Sequence, residues 1–122
     1  RILNRRGVAL SKAQILITGV AYKKNLRDCR ESPSLEIMER LMREGAQVTY
    51  HDPFVSEVEV AGKLLMSTEL SPQTLAAADL VLIGTDHTDI DYAALVRDSQ
   101  LVLDTRGVTR HLSDCGDKVV LL

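Results

Sequence analysis

Two cationic side chains lie in segments of this 122-residue chain suited to gripping a phosphate. Lys23 follows the apolar run Ile15-Leu16-Ile17-Thr18 in the stretch Gly19-Val20-Ala21-Tyr22-Lys23-Lys24-Asn25-Leu26-Arg27-Asp28-Cys29-Arg30-Glu31-Ser32-Pro33. Arg106 follows a second apolar run, Leu101-Val102-Leu103, in Asp104-Thr105-Arg106. A lysine brings a point charge and an arginine a planar fork, and both suit phosphate oxygens. The first stretch is a strand-to-helix junction, where an α/β fold commonly binds an anion. A nucleotide diphosphate is the expected ligand, with Tyr22 and Lys23 facing it and Arg106 reaching it from another strand. Asp28 and Arg30, two apart in an irregular loop, can pair with each other or with backbone. With Ser32 they are expected to brace the loop, and direct ligand contact by them stays open. From the charges alone, a solvated rim of unrelated side chains also stays open.

Other chemistries fit less well. A dinucleotide fingerprint needs Gly-x-Gly-x-x-Gly, and the corresponding positions here are Gly19, Ala21 and Lys24. The loop from Lys24 to Ser32 is also too long for direct entry into a helix. No NAD site, and no other cofactor, is expected on this domain. Asp52 stands where a ribose-binding acid would, but Asp before Pro53 is also a common strand stop. No Gly-Lys-Ser/Thr occurs. Asp86, His87, Asp89 and Asp91 match no strong ligand spacing, so no metal site is expected. Asp86-His87 could form an acid–base pair, yet nothing nearby names its substrate. Cys29 has no histidine beside it in sequence and reads as an ordinary thiol.

The elements that must hold these residues follow from periodicity. Gln14–Gly19, Ala46–His51, Leu80–Gly84, Leu101–Asp104 and Val119–Leu122 read as short strands, most of them apolar enough to be covered on both faces. A further short strand is expected near Lys63–Met66. Leu35, Met38, Leu41 and Met42 recur at helical spacing, after a start signal at Ser32-Pro33 and before a stop at Gly45. Ser71-Pro72 repeats the start signal ahead of a short helix at Leu75–Ala78. Another helix runs from Tyr92 to Arg97, with Asp91 in or near its cap. Strands alternating with helices imply a doubly wound, Rossmann-like α/β sheet of about five or six parallel strands in three αβα layers. Lys23, Asp52, Thr85-Asp86-His87 and Arg106 then gather at the carboxyl edge, where such sheets bind ligands.

Composition bounds the rest. One domain and one core suit this length. A formal net charge of -2 gives no basic field for nucleic acid. One Phe, three Tyr and no Trp offer few stacking platforms for single strands. No apolar run reaches membrane-spanning length. Cys29 and Cys115 make no framework, which fits a cytoplasmic chain with reduced thiols. Arg1–Leu10 reads as the tail of a helix that begins elsewhere, so the chain is expected to be a piece of a longer protein.

Gly19-x-Ala21-Tyr22-Lys23 with Asp28-x-Arg30-Glu31-Ser32-Pro33 resembles the C-terminal domain of the UDP-glucose/GDP-mannose dehydrogenase family. Gly45-Ala46, Tyr50-x-Asp52-Pro53 and Asp104-Thr105-Arg106 match the same domain in order and spacing. The likeness covers about residues 12–122, and residues 1–11 resemble the end of the central dimerisation helix before it. Arg30-Glu31-Ser32-Pro33 and Thr85-Asp86-His87 lean toward the bacterial UDP-N-acetylhexosamine branch. Gly107 departs from the Asn that many members of that branch carry.

The resemblance implies an enzyme that oxidises C6 of a UDP-sugar to the carboxylate in two NAD-dependent steps. It implies that NAD and the nucleophilic cysteine belong to other domains, and neither Cys29 nor Cys115 matches that cysteine. The C-terminal domain would bind the nucleotide sugar through Tyr22, Lys23 and Arg106. The implied partners are the UDP-sugar, the remaining domains and a second subunit of a homodimer or larger assembly. The implied setting is polysaccharide precursor synthesis, and the fragment alone is expected to bind without catalysing. Two other readings are weighed beside it. A receiver-like regulatory module needs a phosphoacceptor Asp after the third strand. A self-contained NAD-binding domain needs the missing glycines.

Overall fold

The computed structural model describes residues 7–20, 33–112 and 116–121. After a 3-10 turn at Leu10–Lys12, the chain forms β1 (Gln14–Thr18), α1 (Pro33–Arg43) and β2 (Gln47–His51). It continues through β3 (Glu57–Val60), β4 (Lys63–Met66), α2 (Pro72–Ala77) and β5 (Leu80–Ile83). It closes with α3 (Tyr92–Asp98), β6 (Val102–Asp104), a 3-10 turn at Gly116–Lys118 and β7 (Val119–Leu121). Five strands form one sheet in the order β2-β1-β5-β6-β7, and every pairing in it is parallel. This is the doubly wound α/β architecture read from the alternating pattern.

The sheet is covered on both faces. Ile15 and Ile17 of β1 and Leu80 and Leu82 of β5 pack with Met38 of α1 and with Val58 and Val60 of β3. Leu16, Val81, Ile83 and Val102 face the other way, toward Leu75 of α2 and Leu95 and Val96 of α3. Burying each such aliphatic side chain contributes about 1.5–3 kcal/mol relative to leaving it exposed. That double cover is why β1 and β5 read as unbroken apolar runs rather than as alternating ones.

Local signals set the helix ends. The amide of Gly45 donates to Met42 O and that of Ala46 to Leu41 O, both at 3.0 Å. This paired pattern is a Schellman stop for α1. Ser71 and Thr74 exchange side-chain and backbone bonds in a capping box at α2, with Thr in the place usually held by Glu or Gln. Asp91 Oδ1 accepts from Ala94 N–H at 3.1 Å and caps α3.

One element goes beyond the sequence reading. The strand expected near Lys63–Met66 has an antiparallel partner, β3, and the two form a separate sheet. Glu57-Val58-Glu59-Val60 alternates, with both valines buried. The turn residues Ala61 and Gly62 have φ of 53° and 77°, the signs of a type I′ hairpin. A bridge from Tyr50 to Ser67 ties the hairpin to β2.

Candidate functional site

Register places the strand exits in one row. Thr18 faces His51 of β2 and Ile83 of β5, Ile83 faces Asp104, and Asp104 faces Leu121. The chain leaves β1 toward β2 on one side and returns to β5 on the other. The topological switch point, where such sheets bind ligands, therefore lies between the exits of β1 and β5. Gly19 and Gly84 hold it. Gly19 has φ of 85°, and a Cβ there would lie 2.6 Å from Thr85 Cβ. A Cβ on Gly84 would run into Ser34 Oγ and lie 2.9 Å from Gly19 O. The absence of side chains at both positions lets the first turn of α1 press onto the switch point. The partial positive charge of that helix end is directed at the same edge.

Arg106 is presented by a loop organised around Asp104. The Asp104 carboxylate is fully buried and accepts five hydrogen bonds. Oδ1 takes the amides of Arg106 (3.0 Å), Gly107 (2.8 Å) and Val108 (3.3 Å). Oδ2 takes the Thr109 amide (2.9 Å) and hydroxyl (2.6 Å). The Thr105 hydroxyl donates to Ile83 O at 2.6 Å and ties the loop to β5. Burial pushes the Asp104 carboxyl upward, but the Thr109 hydroxyl and the amides of Thr109, Arg106 and Gly107 outweigh it, and the net shift is downward. Arg106 and Arg110 are exposed. Among the described residues, no carboxylate forms an ion pair with either.

A buried polar layer lies beneath the strand exits. Asp52 Oδ2 accepts from Val20 N–H at 2.8 Å and lies 3.3 Å from His87 Nε2. Asp52 Oδ1 accepts from Phe54 N–H at 2.8 Å. The Tyr50 hydroxyl donates to Val55 O at 2.9 Å, so Tyr50-x-Asp52-Pro53 folds its own turn. The His87 amide donates to the Tyr92 hydroxyl at 2.9 Å, and that hydroxyl donates to Thr85 O at 3.4 Å. Burial first, and then the charges of Asp86 and Asp104, push the Tyr92 hydroxyl up to about 12, against the opposing effect of the His87 amide. Tyr92 therefore stays a donor across the physiological range.

The expected site residues divide accordingly. Tyr22, Lys23, Asp28, Arg30 and Ser32 lie outside the described residues, as do Cys29 and Cys115. Arg106 follows β6 at the carboxyl edge, two strands from β1. At ordinary strand spacing that separates the two exits by about 10 Å. Of the two readings of Asp52, the structure favours the strand stop over the ribose acid, because it is buried and its two oxygens accept from Val20 and Phe54. Thr85 and His87 are not rim residues either, since both are buried. Asp104 and His87 are the organising residues that sequence reasoning missed. The first had a local signal, a threonine hydroxyl five residues on. The second had none. Among the described residues, no group of three His, Cys, Asp or Glu is placed to hold a metal ion. A separate cleft of about 530 Å³ opens between α2 and α3. Its carboxylates, Glu69, Asp89, Asp91 and Asp98, do not suit an anion.

Comparison with known proteins meets this geometry. Residues 16–111 match the family model described as the UDP-glucose/GDP-mannose dehydrogenase family, UDP binding domain. The chain belongs to this family. It is 31% identical over 130 residues to a UDP-N-acetyl-D-mannosamine dehydrogenase of Methanococcus maripaludis, covering 98% of this chain and 29% of that protein. It is 36% identical over 91 residues to a UDP-glucose 6-dehydrogenase of Pseudomonas aeruginosa, covering 75% of this chain and 17% of that protein. The solved UDP-D-ManNAc dehydrogenase of Pyrococcus horikoshii superposes with a TM-score of 0.75 at 22% identity, over 98% of this chain and 27% of that one. At that identity the likeness is one of fold. The chain spans 25% to 29% of the first Methanococcus relatives, so it corresponds to the UDP-binding domain of the dehydrogenase family rather than to a whole member. Neither the receiver-like nor the self-contained NAD-binding reading is favoured by these matches.

Proposed function

We propose that this chain grips the diphosphate of a UDP-sugar at the carboxyl edge of its sheet. Arg106 and Lys23 neutralise the phosphates, Tyr22 packs near the base, and Asp28, Arg30 and Ser32 brace the loop between them. The observation that carries this reading is Arg106, an exposed guanidinium held on a loop by five hydrogen bonds to one buried carboxylate. Such a loop fixes the backbone that carries the guanidinium, so only the side chain itself is left to order when a ligand arrives.

The whole protein is proposed to oxidise C6 of the sugar from alcohol to carboxylate with NAD, in the cytoplasm, as a dimer or larger assembly serving polysaccharide precursor synthesis. Among the described residues, no helix is long and apolar enough to cross a membrane. Residues 1–11 are read as the segment joining this domain to the rest, with its helix ending before Gly7, because Gly7–Ala9 are not helical and Leu10–Lys12 is a 3-10 turn, and residues 12–122 as the nucleotide-sugar-binding domain. The chain offers no dinucleotide fingerprint, because Ala21 and Lys24 stand where its second and third glycines would be. NAD and the nucleophile are assigned to other parts of the whole protein, and this chain alone is expected to bind without oxidising.

Titration calorimetry with UDP tests the reading. Binding is expected, and Arg106→Ala should weaken it about 10-fold or more, the worth of a charge-assisted hydrogen bond. The unfolding midpoint should not move, because the Arg106 side chain is exposed. Absence of UDP binding at millimolar concentration would count against a self-sufficient site.

A further inference from the structure

We infer that the buried Asp52–His87 pair is the positioning device of the nucleotide site: it fixes the Val20 amide, and with it the point from which residues 21–32 leave β1. The inference rests on the UDP-binding reading for its ligand, and on geometry for the clamp.

In the sheet, β1 lies between β2 and β5. Asp52 follows β2 and His87 follows β5, and their side chains meet at 3.3 Å across the end of β1. The Asp52 oxygen that faces His87 Nε2 is the one that accepts from Val20 N–H. Both side chains have no solvent exposure, and Val20 is also fully buried. The Phe54 ring covers the imidazole, with ring centroids 5.6 Å apart and planes inclined at 47°. The His87 amide is held in turn by Tyr92.

A carboxylate taken wholly out of water is costly unless donors surround it. An apolar contact between the strand ends would join them without that cost. What the buried carboxylate adds is direction. Held by Phe54 N–H at Oδ1 and walled by the His87 ring at Oδ2, it offers Val20 N–H one position. The exit of β1 is then fixed at the residue before the stretch that carries Tyr22 and Lys23. Asp52 and His87 act through Val20 and touch no ligand themselves.

The test uses the full 122-residue chain. UDP affinity is measured by calorimetry, and amide hydrogen exchange at Val20, Ile15 and Val81 by NMR. His87→Ala removes the wall beside Asp52 Oδ2, and His87→Phe keeps a ring there. His87→Ala should lower UDP affinity about 10-fold and speed Val20 exchange by a similar factor, with Ile15 and Val81 unchanged. His87→Phe should keep most of both. A folded His87→Ala protein with wild-type affinity and wild-type Val20 exchange would overturn the inference. So would a His87→Phe protein as impaired as His87→Ala. If His87→Ala does not fold, Asp52→Asn, which keeps the size but not the charge, carries the same two expectations. Arg106→Ala separates the two readings, because it should weaken UDP while leaving Val20 exchange as in wild type. If the wild-type chain binds no UDP, the ligand reading fails, and the clamp stands or falls on Val20 exchange in the His87 variants.

Discussion

Asp104 shows how one buried side chain can decide what an exposed neighbour does. Its two oxygens receive five donors, and Asp104→Asn would turn an NH2 group toward one set of them. We expect a stability loss of about 1–3 kcal/mol at neutral pH, the cost of leaving a buried donor unmet, and weaker UDP binding through a loosened Arg106 loop. The acid dependence has a definite sign. The folded carboxyl titrates below its unfolded value. Its stabilisation is therefore complete above the unfolded range, near pH 4, and is lost as pH falls through the folded value. Urea unfolding from pH 5 to pH 2 should fall less steeply for Asp104→Asn than for wild type. Asp104-Thr105-Arg106 was legible as a motif, and its arginine as the side chain left exposed at the carboxyl edge. The role of the aspartate was not, because its donors come from a turn whose geometry depends on Gly107, at φ of 76°. His87 was less legible still. Its partner is 35 positions away and becomes a neighbour only when β2 and β5 flank β1.

Elements with strong end signals were read closely, and those without were not. Pro33, Gly45, Ser71-Pro72 and Asp91 mark helix ends that the structure keeps. The β3–β4 hairpin was half missed because Ala61 stands where a type I′ turn favours Asn. Ala61 pays for this with φ of 53°, a region costing a non-glycine residue on the order of 1 kcal/mol. Asn tolerates that region far better. Ala61→Asn should therefore stabilise the chain by roughly 0.5–1 kcal/mol, seen as a higher urea midpoint with an unchanged slope. Ala61 is exposed, so the gain should come from the backbone alone. A lower midpoint would mean that the turn is not what limits the hairpin.

At the scale of the whole molecule, the layered α/β fold was legible because β1 and β5 are unbroken apolar runs separated by helical periodicity. The strand order was not, since no local pattern says on which side of β1 the chain returns. That order is what puts the exits of β1 and β6 two strands apart with β5 between them, and it bears on the choice between a UDP site and an NAD site. A ligand that binds only the folded chain stabilises it by RT ln(1 + [L]/Kd), about 1.4 kcal/mol at ten times Kd. For a chain of this size that raises the melting temperature by about 4–6 °C. UDP should produce such a shift at millimolar concentration, and Arg106→Ala should shrink it. NAD at the same concentration should leave the melting temperature in place, because Ala21 and Lys24 stand where a dinucleotide fingerprint has its second and third glycines. A shift with NAD and none with UDP would replace the nucleotide-sugar site with a self-contained dinucleotide site.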